Sequence, residues 1–323
     1  MQSCLILGGS GYIGTNLARY LLAKKIFERV HLGDIKPSSL AGTPNIVFHQ
    51  IDVRKPIPDV IPANEKLEWI FNFAAIHREP GHQPHEYYET NILGAENVTV
   101  YATQKDCKNI FFTASISVYG PTLKPTDEEA LTTPNTPYGI SKLTAEYIHR
   151  EWAQKLPERR LISVRPGVIY GPGDPGNILR MIRAVKKGYF LLPVTPEIKK
   201  SYGYIYGLLE SMEFMMSQPD KLIIYNYVEA NTESLREMIT TINKTLGFNG
   251  KIIRFPFFLL KWAASILHTI NPNINGIHPE RVKKVARPTH IIPGVLIKRG
   301  FTFNYDLGKS LIHWKNESAK DFE

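Results

Sequence analysis

The stretch Gly8-Gly9-Ser10-Gly11-Tyr12-Ile13-Gly14 decides the fold of this chain, because it is a glycine-rich turn set between two regular elements. An apolar strand is predicted before it, over residues 3–8, and an amphipathic helix after it, over residues 13–25. Glycines let the backbone turn tightly and approach a pyrophosphate, whose charge is met by free N–H groups and the positive end of the helix dipole. The stretch therefore predicts a dinucleotide site.

The last residue of the second predicted strand indicates the kind of dinucleotide. Asp34 ends that strand, predicted over residues 29–34, and lies 20 residues after Gly14. A carboxylate at this place can accept hydrogen bonds from both ribose hydroxyls of an adenosine and repels a 2′-phosphate, which favours NAD over NADP. The positive charge of Lys36, two positions after Asp34, weakens this preference for NAD. In the alternative interpretation, Asp34 only forms a turn at the end of the strand.

Strand and helix patterns alternate along the first half of the chain. Six buried strands are predicted, over residues 3–8, 29–34, 45–52, 69–74, 109–115 and 161–166, with further helices over residues 87–105 and 138–156. Alternating units of this kind build a parallel sheet with helices on its faces. The predicted fold class is α/β, a Rossmann-type doubly wound parallel sheet with a smaller C-terminal substrate domain.

The amino-acid composition changes after the sixth predicted strand. A segment rich in glycine and proline, residues 166–176, leads to a basic helix near residues 178–187. We expect an NAD-binding Rossmann domain over residues 1–170 and a mainly substrate-binding domain over residues 171–323. An apolar run at residues 222–227 is typical of one more strand, so the chain is expected to return to the first domain near residues 200–230.

Composition and charge limit the partners and the compartment. The chain has 323 residues, and 39 Lys and Arg against 30 Asp and Glu give a net charge of +9, which suits an anionic ligand. No recognition helix and no zinc module supports a nucleic-acid partner. Only two cysteines are present, Cys4 and Cys107, so a reducing, cytoplasmic compartment is expected.

One segment near the C-terminus raises the question of a membrane. It runs from Phe255 to Ile270 and is interrupted by Lys261 and His268, so it falls short of the about 20 apolar residues that span a bilayer. An amphipathic helix is predicted there, either buried or facing a partner, or lying peripherally on a membrane surface. Residues 1–7 lack the basic start of a signal peptide, so no secretion is expected.

A second motif carries chemistry. The run Tyr138-Gly139-Ile140-Ser141-Lys142 places a tyrosine and a lysine on one helix face. A free phenol has a pKa of about 10, and a nearby ammonium, together with an oxidised nicotinamide, favours the phenolate. Ser115 lies 23 residues before Tyr138, at the carboxyl end of a predicted strand, where such sheets bind ligands. Its hydroxyl can hold a substrate oxygen while Tyr138 removes the proton.

Together these residues resemble the extended short-chain dehydrogenase/reductase superfamily, of the NAD-dependent epimerase/dehydratase type. The resemblance covers residues 1 to about 174. Further matching segments are Asp52-Val53, Asn72-Phe73-Ala74-Ala75, Thr90-Asn91-Ile92-Leu93-Gly94-Ala95-Glu96-Asn97, Ser115-Ile116-Ser117-Val118-Tyr119-Gly120 and Arg165-Pro166-Gly167-Val168-Ile169-Tyr170-Gly171-Pro172-Gly173. The resemblance implies a Rossmann domain that holds NAD, a small domain that closes over a small-molecule substrate, and a homodimer formed through the helices at residues 87–105 and 138–156.

The resemblance also implies site residues. Ser115, Tyr138 and Lys142 occupy the catalytic positions. The implied cofactor contacts are Gly8, Gly11, Tyr12, Ile13, Gly14, Asp34, Asp52, Val53, Ala74, Ala75, Asn91, Tyr138, Lys142, Pro166 and Val168. Substrate contacts are expected at His77, Arg78, Ser117, Asn177 and Lys200. No metal ion is expected, because hydride chemistry needs none and the spacing of His77, His82 and His85 matches no zinc pattern.

The segment after Ser115 narrows the reaction. Family members that eliminate water resemble Thr-Asp-Glu there, whereas this chain has Ser115-Ile116-Ser117, so a 4,6-dehydratase and a decarboxylase are disfavoured. The remaining reactions need only hydride and proton transfer. The expected function is an NAD-dependent nucleotide-sugar epimerase or oxidoreductase that acts on a secondary alcohol.

Departures from the family pattern keep alternatives open. Val168 replaces an asparagine that contacts the substrate diphosphate, and the run Lys200-Ser201-Tyr202-Gly203-Tyr204-Ile205-Tyr206-Gly207 lacks an arginine and two aspartates. One alternative is a dehydrogenase of a sterol, lipid or lipid-linked sugar alcohol, similar to the 3β-hydroxysteroid dehydrogenases; the other is a non-catalytic NAD-binding scaffold. A basic set forms either a grip for a diphosphate or a solvated face: Arg180, Arg183, Lys186, Lys187, Lys199 and Lys200.

Overall fold

A computed structural model describes residues 1–79, 81–174, 176–192, 197–254 and 288–323. The predicted amphipathic helix from Phe255 to Ile270 lies outside the described residues. None of the helices within the described ranges has the length and apolar character needed to cross a membrane.

Seven parallel strands form the main sheet. The described strands are β1 Gln2–Leu7, β2 Arg29–Asp34, β3 Ile46–Gln50, β4 Lys66–Asn72, β5 Asn109–Thr113, β6 Thr122–Thr126, β7 Arg160–Pro166, β8 Val168–Tyr170, β9 Tyr189–Leu192, β10 Tyr202–Tyr204, β11 Leu222–Tyr227, β12 Lys251–Arg254 and β13 Thr289–Ile291. The order in the main sheet is β11-β7-β5-β4-β1-β2-β3, so the direction of winding reverses between β1 and β4. Ligands of doubly wound sheets bind at the carboxyl ends of the strands at this reversal.

Helices and short turns complete the fold. The described helices are α1 Tyr12–Ala23, α2 Pro84–Tyr88, α3 Gly94–Gln104, α4 Pro137–Gln154, α5 Asn177–Lys186, α6 Ile205–Met216, α7 Leu235–Leu246, α8 Gly294–Lys298 and α9 Leu307–Glu317. Two 3₁₀ turns span Ile116–Tyr119 and Ala319–Phe322. α4 begins where the sequence favours it, because the Thr136 hydroxyl accepts from the Gly139 N–H at 3.1 Å and Pro137 occupies the first position of the helix.

The sheet is covered on both faces, which explains its nearly continuous apolar strands. Alternate residues of β1 enter different clusters: Cys4 and Ile6 pack with α1 and α6 on one face. Leu5 and Leu7 pack with α3 and α4 on the other face. The α/β class and the parallel sheet predicted from the sequence are confirmed.

Three smaller parallel pairs lie outside the main sheet. They join β10 to β8, β12 to β9 and β13 to β6. β11 pairs with β7, so the late return of the chain to the main sheet is confirmed. The division into domains at residue 170 stays a prediction.

One predicted helix differs from the structure. The apolar periodicity predicts an uninterrupted helix over residues 87–105, but a wider π-type turn at Glu89–Leu93 separates α2 from α3. Asn91 in this turn is buried, and its amide pairs with both the N–H and the carbonyl of Ile76, at 3.0 and 3.1 Å. We attribute the local widening to this pairing, which a sequence period does not reveal.

Candidate active site

The glycine turn lies where the strand order reverses. Gly8 has a φ of +78°, and a Cβ built on it would lie 2.7 Å from the backbone nitrogen of Ala74. A Cβ on Gly14 would lie 2.4 Å from the carbonyl oxygen of Gly8. Gly11 supplies no side-chain cap to α1, so the N–H groups of its first turn, which begins with Tyr12 and Ile13, are left for a ligand. The turn therefore fits an anion.

Asp34 ends β2 beside this turn. Its carboxylate accepts from the N–H of Ser10 at 3.1 Å and from the N–H of Lys36 at 3.0 Å. The two interpretations of Asp34 are thus compatible, because it forms the strand-end turn and faces the glycine turn at once. Each oxygen keeps a second lone pair, which is what a ribose diol requires.

The predicted adenine-side residues follow β3. Arg54 hydrogen bonds to both oxygens of Asp52, at 2.9 and 2.7 Å, and these bonds hold the pKa of Asp52 below its usual value. Val53 is buried, and its carbonyl accepts from Asn97 at 2.8 Å. A Cβ on Gly94 would meet the Val53 side chain at 2.9 Å. α3 therefore packs closely against this segment.

The segment after β4 is tied to α4. Ala74 and Ala75 follow the end of β4 and are partly buried. Asn91 holds the next residue, Ile76, and also donates to the Ser141 hydroxyl at 2.8 Å. The amide of Asn91 thereby fixes the chain beneath the predicted pyrophosphate position to the helix that carries Tyr138.

Two other implied cofactor contacts lie at the end of β7. Pro166 is buried as the last residue of that strand. Val168 begins β8, is 43% exposed, and donates its N–H to the carbonyl of Ser201 at 3.1 Å. Its side chain is therefore available to a ligand, with an apolar surface where the family pattern has an amide.

Lys142 lies one turn after Tyr138 on α4 and is 2% exposed. Its Nζ sits 4.4 Å from the centre of the Phe112 ring, and no described residue accepts a hydrogen bond from it. Burial lowers the pKa of Lys142 to about 7, against the opposing charge of Glu146. Burying a cation without an acceptor is costly unless a ligand supplies one. This site fits a ribose hydroxyl.

Tyr138 faces Ser115 across the carboxyl edge of the sheet. Burial raises the pKa of Tyr138 to about 12, a hydrogen bond with Ser115 lowers it, and the nearby Glu79 and Tyr87 raise it further. Without a nicotinamide, burial therefore outweighs the chain's own groups, and the lowered pKa expected beside a bound, oxidised nicotinamide stays a prediction. The Ser115 hydroxyl also accepts from the Ser117 N–H and donates to the Ser117 hydroxyl, both at 3.1 Å.

The predicted substrate residues lie on several elements. Ser117 touches Ser115, as described above, whereas His77 and Arg78 are exposed on the loop after β4, where the Arg78 carbonyl accepts from Tyr87 at 2.5 Å. Asn177 begins α5 and binds Arg180 at 2.6 Å. Lys200 precedes β10, and burial lowers its pKa to about 8. Of these residues, the structure brings Ser117 into contact with the predicted catalytic group.

The basic residues of α5 have a different task from either one expected. Arg183 donates to the carbonyl of Asp321 at 3.1 Å, and Lys186 donates to the carbonyl of Phe322 at 2.9 Å. These two side chains hold the C-terminal turn against α5. They are therefore neither a simple solvated face nor directed at a diphosphate.

Sequence reasoning missed a buried ion pair behind Lys142. Glu146 lies one turn after Lys142, and Arg165 at the end of β7 binds it at 2.5 Å. Arg165 also donates to the Tyr119 hydroxyl at 2.8 Å. The only sequence signal for this ion pair is that Glu146 follows Lys142 by four residues on the same helix face. Such a spacing usually indicates a pair on the protein surface, so it did not point to a buried partner.

The segment after β4 carries three histidines, His77, His82 and His85. His82 pairs with Glu86 at 3.2 Å on the surface. Over the described ranges, no group of three or more histidine, cysteine, aspartate or glutamate side chains is arranged to hold a metal ion. The glycine turn, Asp34 and the acceptor-free Lys142 instead fit a nicotinamide dinucleotide.

The sequence has relatives of known activity. A family model described as the NAD dependent epimerase/dehydratase family matches residues 4–227. An Escherichia coli O157:H7 enzyme named N-acetyl-alpha-D-glucosaminyl-diphospho-ditrans,octacis-undecaprenol 4-epimerase is 26% identical over 318 residues, which is 96% of this chain and 93% of that enzyme. The family match covers more than half of the chain.

Solved structures share the fold. UDP-glucose 4-epimerase from Thermotoga maritima, solved with UDP-glucose, has a TM-score of 0.75 at 16% identity and covers 99% of this chain and 100% of its own. MoeE5, solved with UDP-glucuronic acid and NAD, has a TM-score of 0.74 at 21% identity and covers 98% of this chain and 99% of its own. The likeness extends over both halves of the chain.

Proposed function

The chain belongs to the NAD-dependent epimerase/dehydratase family, and on that premise we propose that it is an NAD-dependent epimerase of a nucleotide sugar, inverting a secondary alcohol. The observation that carries this proposal is the placement of Ser115 beside Tyr138, whose pKa it lowers, with the buried Lys142 one turn further along the same helix. A purely binding module has no use for all three groups. Ile116 and Ser117 supply neither carboxylate of an elimination, which disfavours a dehydratase.

A bound nicotinamide dinucleotide would be held by the glycine turn, Asp34 and Lys142, and it would supply the hydride chemistry that oxidises the sugar alcohol and reduces the ketone again. Tyr138 takes the hydroxyl proton on its phenolic oxygen and gives it back after the ketone has turned. Ser115 donates its hydroxyl to the substrate oxygen and keeps it in reach of Tyr138. Lys142 binds the ribose hydroxyls and favours the phenolate by its charge.

The chain's own environment sets how hard the proton transfer is. Burial raises the pKa of Tyr138 to about 12, so the phenolate is scarce at neutral pH until positive charge is added beside it. The Ser115 hydrogen bond works in the productive direction. Oxidation of the alcohol is therefore expected to be faster at mildly alkaline pH, where the phenolate is more populated.

A second substrate class, a sugar joined through a diphosphate to a polyprenol, is favoured by two observations. The relative from Escherichia coli O157:H7 acts, by its name, on such a sugar and matches almost the whole chain. Val168 presents an exposed apolar side chain at a position where the pattern of the nucleotide-sugar epimerases has asparagine. The charge of +9 suits the diphosphate of either substrate.

A homodimer through α3 and α4 completes the proposal. Four apolar side chains near these neighbouring helices are exposed: Leu93, Val100, Ile140 and Tyr147. Covering them in a second copy would bury apolar area that a monomer leaves in water.

Two free, buried cysteines agree with a reducing, cytoplasmic compartment. A Rossmann unit over residues 1–170 and a substrate unit over 171–323 remain part of this proposal.

The experiment that tests the function is an epimerisation assay on the purified chain. UDP-glucose, UDP-N-acetylglucosamine and a polyprenyl diphosphate N-acetylglucosamine are each incubated with it, and products are separated by chromatography and assigned by NMR. Inversion without accumulation of NADH supports the epimerase, and the substrate that is inverted selects the class. NADH that accumulates with an alcohol supports a dehydrogenase instead, and a chain that binds NAD and turns over nothing is a scaffold.

A further inference from the structure

A buried polar bridge, defined here as Glu146, Arg165, Tyr119 and Asn226, runs behind the catalytic residues. Arg165 donates to Glu146 at 2.5 Å and to the Tyr119 hydroxyl at 2.8 Å. Tyr119 donates in turn to the Asn226 side-chain oxygen at 2.9 Å. All four residues are at most 5% exposed. Hydrogen bonds in such surroundings are strong and costly to leave unmade.

The bridge joins the two elements that carry the catalytic groups. Glu146 is on α4, the helix of Tyr138 and Lys142. Tyr119 ends the 3₁₀ turn that begins directly after Ser115. The bridge therefore connects the middle of α4 to the end of the 3₁₀ turn, whereas Tyr138 and Ser115 lie at the beginnings of these two elements.

The beginnings of these two elements touch by a separate contact. A Cβ on Gly139, next to Tyr138, would lie 2.6 Å from the carbonyl oxygen of Ser117, so the start of α4 packs closely on the turn. Other residues of α4 and of the turn pack together as well, and the bridge through Tyr119 adds a buried polar attachment to this packing. We expect that attachment to hold the angle between the two elements and with it the distance from Ser115 to Tyr138.

The last member extends the bridge into the C-terminal half. Asn226 donates its amide to the carbonyl of Ile292 at 3.0 Å, and its N–H donates to Glu128 at 2.7 Å. Glu128 also accepts from the N–H of Val295 on α8 at 3.2 Å. The Tyr119 hydroxyl is thus the junction between the catalytic elements and the segment that follows residue 288.

We propose that the Tyr119 hydroxyl is a positioning group of the epimerisation: through Arg165 and Asn226 it holds the Ser115 turn at the angle to α4 that the transfer of the proton requires. This inference rests on the proposed function. Tyr119 itself touches none of the reacting atoms, so it acts through Ser115. A misplacement of about 1 Å at a reacting group can cost about a hundredfold in rate.

The pH dependence gives a readout that loss of folded protein does not change. The groups that act on Tyr138 are Ser115 from the turn, and Glu79 and Tyr87 from the segments after β4. Lys142 lies one turn further along the helix of Tyr138. Of Ser115, Glu79 and Tyr87, only Ser115 lowers the pKa of Tyr138, through its hydrogen bond. A turn that swings away weakens this bond, so the pKa of Tyr138 rises and the acidic limb of the kcat profile moves to higher pH.

The test is the Tyr119→Phe variant, which removes one hydroxyl and keeps the ring and the Glu146–Arg165 ion pair. Tyr225→Phe is the matched control, because Tyr225 is fully buried and its hydroxyl lies 3.2 Å from Ser211, outside the bridge. We expect Tyr119→Phe to lower kcat by about tenfold or more with KM nearly unchanged, and to move the acidic limb to higher pH. Tyr225→Phe should keep the kcat and the pH profile of the original chain.

A wild-type profile in Tyr119→Phe, or an equal loss of kcat in both variants, would overturn the proposal. A crystal structure of Tyr119→Phe with NAD gives a readout free of turnover, in which the oxygens of Ser115 and Tyr138 should lie farther apart than in the original chain. If the original chain inverts no sugar, the proposed function fails. The separation of these two oxygens still decides whether Tyr119 positions the turn.

Discussion

Two buried polar clusters lie at opposite edges of the same sheet and are built in opposite ways. Toward the amino ends of the strands, Glu65, just before β4, binds His31 at 2.8 Å, and His31 also binds His49, which lies farther along β3, at 2.9 Å. Arg29 completes the group by binding Glu65 at 2.6 Å. Burial works to raise the pKa of Glu65, and the bonds and charges of His31 and Arg29 overcome it and hold that pKa below its usual value. This cluster satisfies its own charges.

At the carboxyl edge the protein leaves polar groups incomplete. Lys142 has no acceptor among the described residues, and the side-chain oxygens of Asn72 and Thr113, at the ends of β4 and β5, have no partner there either. An unpaired buried charge costs several kcal/mol, so it persists only where a ligand supplies the missing group. The difference teaches that the completed cluster serves stability, whereas the incomplete one lies where a ligand is expected. Position matters as much as incompleteness, because the buried hydroxyls of Tyr101 and Ser310 also lack a partner among the described residues.

The largest effect expected at the incomplete edge comes from Tyr138→Phe. The variant removes the proton acceptor and leaves the ring, the glycine turn and Lys142 in place, so kcat should fall by roughly 10²–10⁴-fold. NAD binding should stay close to that of the original chain, measured by calorimetric titration. Tyr225→Phe is the control for loss of a buried hydroxyl. Equal turnover in Tyr138→Phe and the original chain would remove Tyr138 from the mechanism.

Lys142→Met tests whether the unpaired charge at the carboxyl edge serves activity at the expense of stability. Methionine keeps the length and apolar stem of lysine but removes the unpaired charge, so the chain without NAD should unfold at no lower urea concentration than the original. The same change should weaken kcat/KM by about a hundredfold, because ribose and phenolate both lose a cation. Lys155→Met, an exposed site just after α4, is the control. A large loss of stability with unchanged kcat/KM would contradict the comparison.

The contrast also separates what the sequence could and could not predict. The strand at residues 29–34 and the glycine turn have local signals, an apolar run and a spacing of glycines, and both lie where they were expected. The return strand at residues 222–227 was predicted to the residue for the same reason. Elements with a continuous local pattern could therefore be predicted without a structure.

Long-range polar contacts could not be predicted in this way. Arg165 reaches Tyr119 across 46 positions, and although both residues lie in segments that match the family, nothing in the sequence pairs one with the other. Arg183 was one of several basic residues, and its partner Asp321 lies 138 positions away. The pKa of Tyr138 depends on how deeply it is buried, which a motif does not contain. These features follow from the packing of several elements at once.

Glu65→Gln tests the completed edge with a smaller effect. Glutamine keeps the shape of the side chain but leaves His31 and Arg29 without an anion, so the free energy of unfolding should fall by about 1–3 kcal/mol. The measurement is urea unfolding, with kcat expected to stay unchanged. Glu158→Gln, at an exposed ion pair with Lys108, is the control and should leave the free energy of unfolding nearly unchanged. A stability loss no greater than that of Glu158→Gln would show that the cluster is not stabilising.

The effect that is spread over the widest range of conditions is a slope of stability with pH. The folded chain without NAD holds Lys142 with a pKa of about 7, whereas an unfolded lysine has a pKa of about 10.4. Between these two pKa values the unfolded chain binds more protons than the folded chain, so the contribution of Lys142 to the free energy of unfolding rises with pH. The slope corresponds to at most one proton, which is about 1.4 kcal/mol per pH unit. The contribution of Lys142 is least favourable below about pH 7, where the buried ammonium is charged.

Lys142→Met isolates this slope, because every other titrating group remains. The free energy of unfolding is measured by urea from pH 7 to 10 for both proteins without NAD, and their difference is plotted. The original chain should gain on the variant as the pH rises. NAD should oppose this trend in the original chain, since a bound ribose stabilises the ammonium, so affinity for NAD should fall over the same range. A flat difference would mean that Lys142 has an acceptor after all, and that the two edges of the sheet are alike.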